Sequence, residues 1–124
     1  MLRWLSWNDQ HWARVVGPFY FEHVVKATFH IGEPDEAEMT AAIPGLKKFA
    51  AVLNQHLEGR DFVACNRLTI ADFQLASMAC EWRHSQMPIG DHPNVVRWLD
   101  GLMRLPAWAD PWPVTAAKEA GAPA

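Results

Sequence analysis

Cysteine is scarce in this sequence. Only Cys65 and Cys80 occur among its 124 residues, which excludes a disulfide framework and the paired cysteine spacing of zinc sites. Both have apolar neighbours, so we expect small, buried side chains in a reducing compartment. The scarcity of cysteine therefore favours a cytoplasmic protein.

An excess of charge of one sign is also lacking. The 11 basic and 14 acidic residues are spread along the chain and give a formal net charge of -3, so no basic stripe is available to neutralise phosphates. No run of about 20 apolar residues occurs, and the first residues mix tryptophan with Arg3, Asn8 and Asp9. We expect no nucleic-acid partner, no signal peptide and no membrane segment.

The histidines lack partners at the spacing of metal ligands. His23 and His30 would share a helix face but lie roughly 10 Å apart, too far to hold one metal ion. Cys80, with His84 one helical turn later, could resemble a nucleophile and its base, but the helix around Cys80 is predicted to be buried, where thiols are inert. We expect neither a metal site nor a catalytic residue in this chain.

Strand signals are absent, because nowhere do β-branched or aromatic residues alternate with polar ones between turn clusters. Half of the residues are hydrophobic and seven are tryptophan, enough for one proper core. We predict a single all-α domain over residues 1–113, a bundle of about five or six helices. Residues 114–124, rich in Ala, Gly and Pro, are predicted to be a disordered tail.

The helical pattern is interrupted early, at Gly17 and Pro18. Residues 2–16 form an amphipathic helix, and a kink or break is expected at Pro18 because proline lacks the backbone donor and crowds the preceding turn. The pattern resumes over residues 19–31. Gly32 is expected to end it.

A long helix is predicted to follow from Asp35. Its apolar residues recur at steps of four and three: Met39, Ile43, Leu46, Ala50, Leu53 and Leu57. Pro44 should bend this helix, and Gly59 suits a left-handed helix terminus.

Two later helices have clear start signals. Thr69, followed three residues later by Asp72, predicts a capping box that opens a central helix over residues 70–83. Pro93 pre-sets the first turn of the last helix, which Pro106 should stop.

The segment from Leu57 to Asp72, LEGRDFVACNRLTIAD, resembles the signature of glutathione transferase C-terminal domains, with Thr69 and Asp72 at its capping positions. Residues 4–23 are similar to the long, bent first helix of bacterial members. Residues 93–108 look like the last shared helix and its stop. Taken together, residues 1–112 resemble the all-helical C-terminal domain of a bacterial-type soluble glutathione transferase.

This resemblance implies a division of labour. Family members have a preceding thioredoxin-like domain whose Tyr, Ser or Cys stabilises the glutathione thiolate, and this chain does not contain it. The chain would be part of a longer protein or a naturally short product. We expect it to form one wall of the pocket for a hydrophobic electrophile and part of a homodimer interface. Glutathione would be the co-substrate of the full-length protein, and this domain alone would bind no cofactor.

In the family the first helix lines that pocket, which makes Trp7, Asn8, His11 and Trp12 the candidate substrate-binding residues. Apolar walls with a few polar groups suit this task. An alternative is equally favoured by residue type: the tryptophans pack in the core or between domains and His11 is a surface residue. Asp72 is interpreted as a structural cap without a catalytic role.

Other functions stay open. Domains of this fold also serve as protein-interaction modules in translation and signalling assemblies, and fold alone does not decide between module and enzyme. A helical domain without a ligand is a third interpretation. Within the enzyme hypothesis, conjugation, peroxide reduction and reductive dehalogenation are undecided. A thioredoxin-like domain encoded directly upstream would favour the enzyme.

Overall fold

Residues 1–109, the part of the chain that the computed structural model describes, form five helices and no strand. We number them α1 (residues 2–29), α2 (Glu36–His56), α3 (Ile70–Ala79), α4 (Pro93–Met103) and α5 (Pro106–Ala109). The all-α prediction is confirmed. The predicted tail, residues 114–124, and the boundary at residue 113 lie outside the described residues.

Helix α1 is continuous through Gly17 and Pro18, so of the expected kink or break, the break is wrong. Pro18 lies inside the α-helical segment Ala13–Tyr20. The irregularity instead takes the form of two π-helical turns, Asn8–Trp12 and Phe21–Val25. Apolar residues on both sides of Pro18 are buried against α2 and α3, and this packing outweighs the roughly 3 kcal/mol that an internal proline costs.

The end of α1 also differs from the expectation. The residue in the left-handed conformation is His30, with φ of 54°, rather than Gly32 two residues later. Histidine is among the residues enriched in this conformation. The helix therefore ends at Phe29, and residues 31–35 lead into α2.

Helix α2 follows the predicted pattern closely. The Asp35 carboxylate caps it by accepting a hydrogen bond from the Ala37 amide at 3.0 Å, and Gly59 adopts a left-handed φ of 70° beyond its end. The helix continues through Pro44. At Gly45 it lies so close to α1 that an added Cβ would come within 2.9 Å of Val15 Cγ1.

Helix α3 ends at Ala79, four residues before the predicted end. The chain then forms turns in which the Ser85 amide and hydroxyl both donate to the Glu81 carbonyl, each at 2.8 Å. Gln86 has a left-handed φ of 60°. Helix α3 buries one broad face, formed by Ala71, Asp72, Leu75, Ala76 and Ala79, while Ile70, Gln74 and Ser77 are exposed, so the expectation that its apolar residues exceed one face is wrong.

Helix α4 begins with Pro93 at its first turn but receives its cap from another helix. The Asn54 side-chain oxygen on α2 accepts from the amides of Asn94 at 2.8 Å and Val95 at 3.3 Å. Asn94 Nδ2 donates in return to the Asn54 carbonyl at 3.0 Å. Pro106 opens the short helix α5 rather than simply stopping α4, which ends at Met103.

The core lies between α1, α2, α3 and α4, with Trp12 at its centre. Trp12 is fully buried, and its indole Nε1 donates to the Leu75 carbonyl on α3 at 2.8 Å. A buried indole needs such a partner, because an unpaired donor costs about 1–3 kcal/mol. This bond ties α1 to the centre of the bundle.

The cysteines do not have the burial that we expected. Cys65 is exposed and Cys80 is half-buried. Cys65 lies in the turn before α3 in a left-handed conformation, with φ of 63°. Because turns run over the surface, apolar neighbours in the sequence did not indicate burial.

Candidate functional site

An accessible aromatic surface lies where α1 packs against α2. Trp7 and His11 are four residues apart on α1, and their ring centroids are 6.5 Å apart. Phe49 on α2 stacks on the His11 imidazole at 4.7 Å and meets the Trp7 indole edge-to-face at 6.0 Å. We call Trp7, His11 and Phe49 the aromatic face. His11 is exposed and the other two are half-buried, so part of this face is accessible.

The other two candidate residues of this helix lie in the interior. Trp12 stacks beneath Trp7, with centroids 5.8 Å apart, and it has no exposed surface. Asn8 is also buried, with 6% of its surface exposed. The structure thus brings Trp7 and His11 together at the surface and places Asn8 and Trp12 behind them.

Trp4 belongs to the packing as well. It is 5% exposed, and its ring lies 4.2 Å from the His56 ring and 5.3 Å from the Trp7 ring. The core-packing interpretation therefore describes Trp4 and Trp12, whereas Trp7 bridges the core and the surface.

Sequence reasoning missed Phe49. It adjoins the buried Ala50 on α2. The steps of four and three between apolar residues of α2 therefore place Phe49 beside the buried face and not within it. Its contact with His11 depends on how α1 and α2 pack, which the pattern of one helix does not contain. The signal available in the sequence was a large aromatic side chain directly beside the predicted buried face of α2.

Asp72 forms the densest polar site of the described chain. It is fully buried at the start of α3, where the capping box with Thr69 is present. Its Oδ2 accepts from the Thr69 amide at 3.0 Å, and its Oδ1 accepts from the Val63 amide and the Trp98 indole, each at 2.9 Å. The carboxylate thus joins the loop before α3, α3 itself and α4.

This arrangement makes Asp72 a structural residue. All three donors point at the carboxylate from within the protein, so no face of it is open to a substrate. Hydrogen bonds to a charged acceptor are worth about 1.5–3 kcal/mol each. The Trp98 donor, 26 residues away, is a partner that the capping motif did not predict.

A second buried carboxylate, Glu22, was not predicted. It is 4% exposed in the second π-helical turn of α1. Lys26, one turn later, pairs with it at 2.6 Å, and the Asp35 amide donates to it at 3.2 Å. Glu22 therefore anchors the connection between α1 and α2.

The Cys80 thiol is poorly placed for nucleophilic chemistry. Burial raises the pKa of the Cys80 thiol, which lowers the thiolate fraction near neutral pH. Its Sγ lies 3.4 Å from the Ser77 carbonyl, to which it donates. Within residues 1–109, no group of three or more His, Cys, Asp or Glu side chains is arranged to hold a metal ion.

None of the helices in the described part of the chain is both long and apolar enough to span a membrane.

Comparison with known proteins gives a consistent result. The family described as "Glutathione S-transferase, C-terminal domain" matches residues 9–106. Glutathione S-transferase D7 of Drosophila melanogaster is 37% identical over 57 residues, which are 45% of this chain and 25% of that protein.

A solved structure, glutathione S-transferase-I bound with the ligand lactoylglutathione, shares the fold. It aligns with a TM-score of 0.72 and 21% identity over 92% of this chain and 53% of that chain. This chain thus spans about half the length of that transferase. Since the family match covers most of the sequence, this chain belongs to the glutathione S-transferase C-terminal domain family.

Proposed function

We propose that this chain is the helical domain of a glutathione transferase and that its aromatic face forms part of the wall of a pocket for a hydrophobic electrophile. The observation that supports this is the exposed His11 ring, stacked on Phe49 and beside Trp7. An apolar surface with a few polar groups that orient the ligand is typical of sites for small molecules. The predicted role of Asn8 and Trp12 becomes indirect, since both lie behind this surface.

Thiol activation would come from a separate thioredoxin-like domain. Lowering the pKa of a thiol requires a donor or positive charge within hydrogen-bond reach of the sulfur. The aromatic face offers a single imidazole, and the one cation that residues 1–109 place against it, the Lys48 ammonium, lies over the Phe49 ring at 5.6 Å from the centroid. The length comparison agrees with a second domain, because this chain spans 53% of the aligned transferase.

We infer that the whole protein is a cytoplasmic homodimer that uses glutathione as co-substrate. Large apolar side chains that include Leu2, Phe21, Phe29 and Ile31 are exposed. We infer that a further domain or a second subunit covers part of this apolar surface. The bacterial character predicted from the first helix is part of this proposal; the aligned Drosophila relative is an animal protein.

The first experiment tests the division of labour. Reduced glutathione is titrated into the ¹⁵N-labelled chain while amide shifts are followed, and conjugation to an aryl halide is assayed in parallel. We expect no saturable shift and no turnover. Saturable shifts together with turnover would place the active site in this half of the transferase and overturn the division.

The second experiment tests the aromatic face. An unreactive nitroaromatic compound is titrated into the same sample, and the largest shifts are expected at Trp7, His11 and Phe49. His11→Ala removes an exposed ring without opening the core, so it should weaken binding and leave the unfolding midpoint unchanged. Phe73→Ala is the matched control, since Phe73 stacks on Trp108 at 5.4 Å, outside the aromatic face. Equal effects of the two variants would contradict the assignment.

The coding region upstream separates the enzyme from a protein-interaction module. A thioredoxin-like domain with Ser, Cys or Tyr near its first helix is expected there. An unrelated domain in that position, combined with no nitroaromatic binding, would replace the transferase proposal by the interaction module.

A further inference from the structure

The first π-helical turn of α1, Asn8–Trp12, includes the exposed part of the aromatic face, because His11 lies within it. At the end of this turn the Ala13 amide donates to the Asn8 carbonyl, five residues earlier. An α-helix would instead pair that amide with the Asp9 carbonyl, four residues earlier. The turn therefore holds one residue more than the α-helical hydrogen-bond pattern allows.

The extra residue explains how two tryptophans five positions apart can stack. Around an α-helix, residues i and i+5 are separated by about 140°, so their side chains leave the helix in different directions. In a π-helical turn the hydrogen bond between residues i and i+5 brings them nearly into line. The planes of the Trp7 and Trp12 rings are 16° apart, and their centroids are separated by 5.8 Å. The fully buried Trp12 thus supports the Trp7 ring of the aromatic face.

Arg14 supplies a hydrogen bond that the π-helical turn takes from Asp9. Because the Ala13 amide donates to the Asn8 carbonyl, the Asp9 carbonyl loses its α-helical donor. Arg14 Nε donates to this carbonyl at 3.2 Å. An unpaired carbonyl makes a π-helical turn less favourable, and the arginine bond offsets this effect. Asp9 and Arg14 are both exposed, so the bond lies on the solvent side of α1.

We propose that Arg14 is a positioning residue for the aromatic face. Its bond to the Asp9 carbonyl holds the π-helical turn, and the turn stacks Trp7 on Trp12. Without this bond the turn can return to the α-helical pattern, which rotates Trp7 relative to Trp12 by about 100°, the angle of one residue. The Trp7 indole would then lose its support and its place beside His11.

The first test is spectroscopic. Arg14→Met removes the donor and keeps an unbranched stem. We expect a smaller exciton couplet from the stacked indoles in ultraviolet circular dichroism, and shifts of the Trp7 and Trp12 indole N–H signals in the ¹⁵N-labelled chain. Arg14→Lys keeps a donor and should restore both readouts. Lys47→Met removes an exposed positive charge from α2 outside the aromatic face, so it is the matched control and should change neither.

The second test compares binding of the unreactive nitroaromatic compound in the same variants. Arg14→Met should raise its Kd about two- to tenfold, which corresponds to the loss of one hydrogen bond. Arg14→Lys should return the Kd to within about twofold of the original value. Lys47→Met should leave the Kd unchanged.

Unchanged indole signals and an unchanged couplet in Arg14→Met would overturn the inference, and so would altered signals with an unchanged Kd. An equal effect of Lys47→Met would assign the change to charge and would also overturn it. The consequence for binding rests on the proposed function, whereas the spectroscopic signature does not. If the original chain binds no nitroaromatic compound, the proposed pocket fails, but an altered couplet that Arg14→Lys restores still establishes that Arg14 positions Trp7.

Discussion

Replacing Asp72 by alanine should destabilise the fold far more than the loss of an ordinary helix cap. A surface N-cap is worth about 1 kcal/mol. Asp72 is fully buried and accepts three hydrogen bonds, from the amides of Val63 and Thr69 and from the indole of Trp98. Its removal strands two buried donors, the Val63 amide and the Trp98 indole, together with the part-buried Thr69 amide, and a buried donor costs about 1–3 kcal/mol when unpaired. Because water can enter the space and the terms are not additive, we expect a loss of about 3–5 kcal/mol.

Such a loss is a large part of the roughly 5–15 kcal/mol that stabilises a domain. It is measured by urea denaturation followed by far-ultraviolet circular dichroism, with Thr69→Ala and Asp72→Asn as controls. Thr69→Ala removes only the cap and should cost about 1 kcal/mol. Asp72→Asn keeps the shape of the side chain but turns an amide NH₂ group toward one of the donors. Its loss of stability should therefore fall between that of Thr69→Ala and that of Asp72→Ala.

A comparable loss for Asp72→Ala and Thr69→Ala would refute this account, because the link to α4 would then contribute nothing. A double-mutant cycle with Trp98→Phe isolates that link. We expect a coupling free energy between Asp72 and Trp98 of about 0.5–3 kcal/mol, and additivity of the two single variants would contradict a direct bond.

Three further outcomes follow from the packing and the thiols. Glu22→Gln should lower the free energy of unfolding in urea denaturation by about 1–3 kcal/mol, because it leaves a mostly buried lysine without its counter-charge; an unchanged midpoint would argue against the pair. Gly101→Ala should stabilise the protein by about 0.5–1 kcal/mol, whereas Gly45→Ala should not, since its Cβ would clash with α1; equal midpoints for the two would disprove the close approach. Iodoacetamide at pH 8 should alkylate Cys65 faster than Cys80. The raised pKa of Cys80 lowers its thiolate fraction at this pH, and its partial burial limits access to the sulfur. The reverse order in peptide mass spectrometry would contradict this.

The helices were largely predictable because their apolar spacing reflects one buried face each. In α2, Met39, Leu46, Ala50 and Leu53 are all buried as their spacing requires. The errors occur where local rules compete with packing. Pro18 predicts a break that the buried flanks of α1 override, and α3 ends earlier than its apolar composition indicates.

The candidate site was predictable only in part. Trp7 and His11 share a helix face by spacing alone, and the structure places them together. Their contact with Phe49 and the bond between Asp72 and Trp98 join distant parts of the chain. Such contacts depend on the relative position of helices, which no single periodicity encodes.

Most of the buried polar bonds described above connect different helices, and this explains how the bundle can hold an aromatic face in place. Trp12 ties α1 to α3 and Asn54 ties α2 to α4, in each case through directional bonds to backbone atoms. Apolar contacts alone permit helices to slide, whereas a buried hydrogen bond fixes their register, because any shift leaves a donor unpaired. Substitutions at these positions should therefore lower stability and disturb ligand binding together. Substitutions of His11, which is exposed, should change ligand binding without changing stability. This difference distinguishes the residues that hold the helices together from the residues that form the aromatic face.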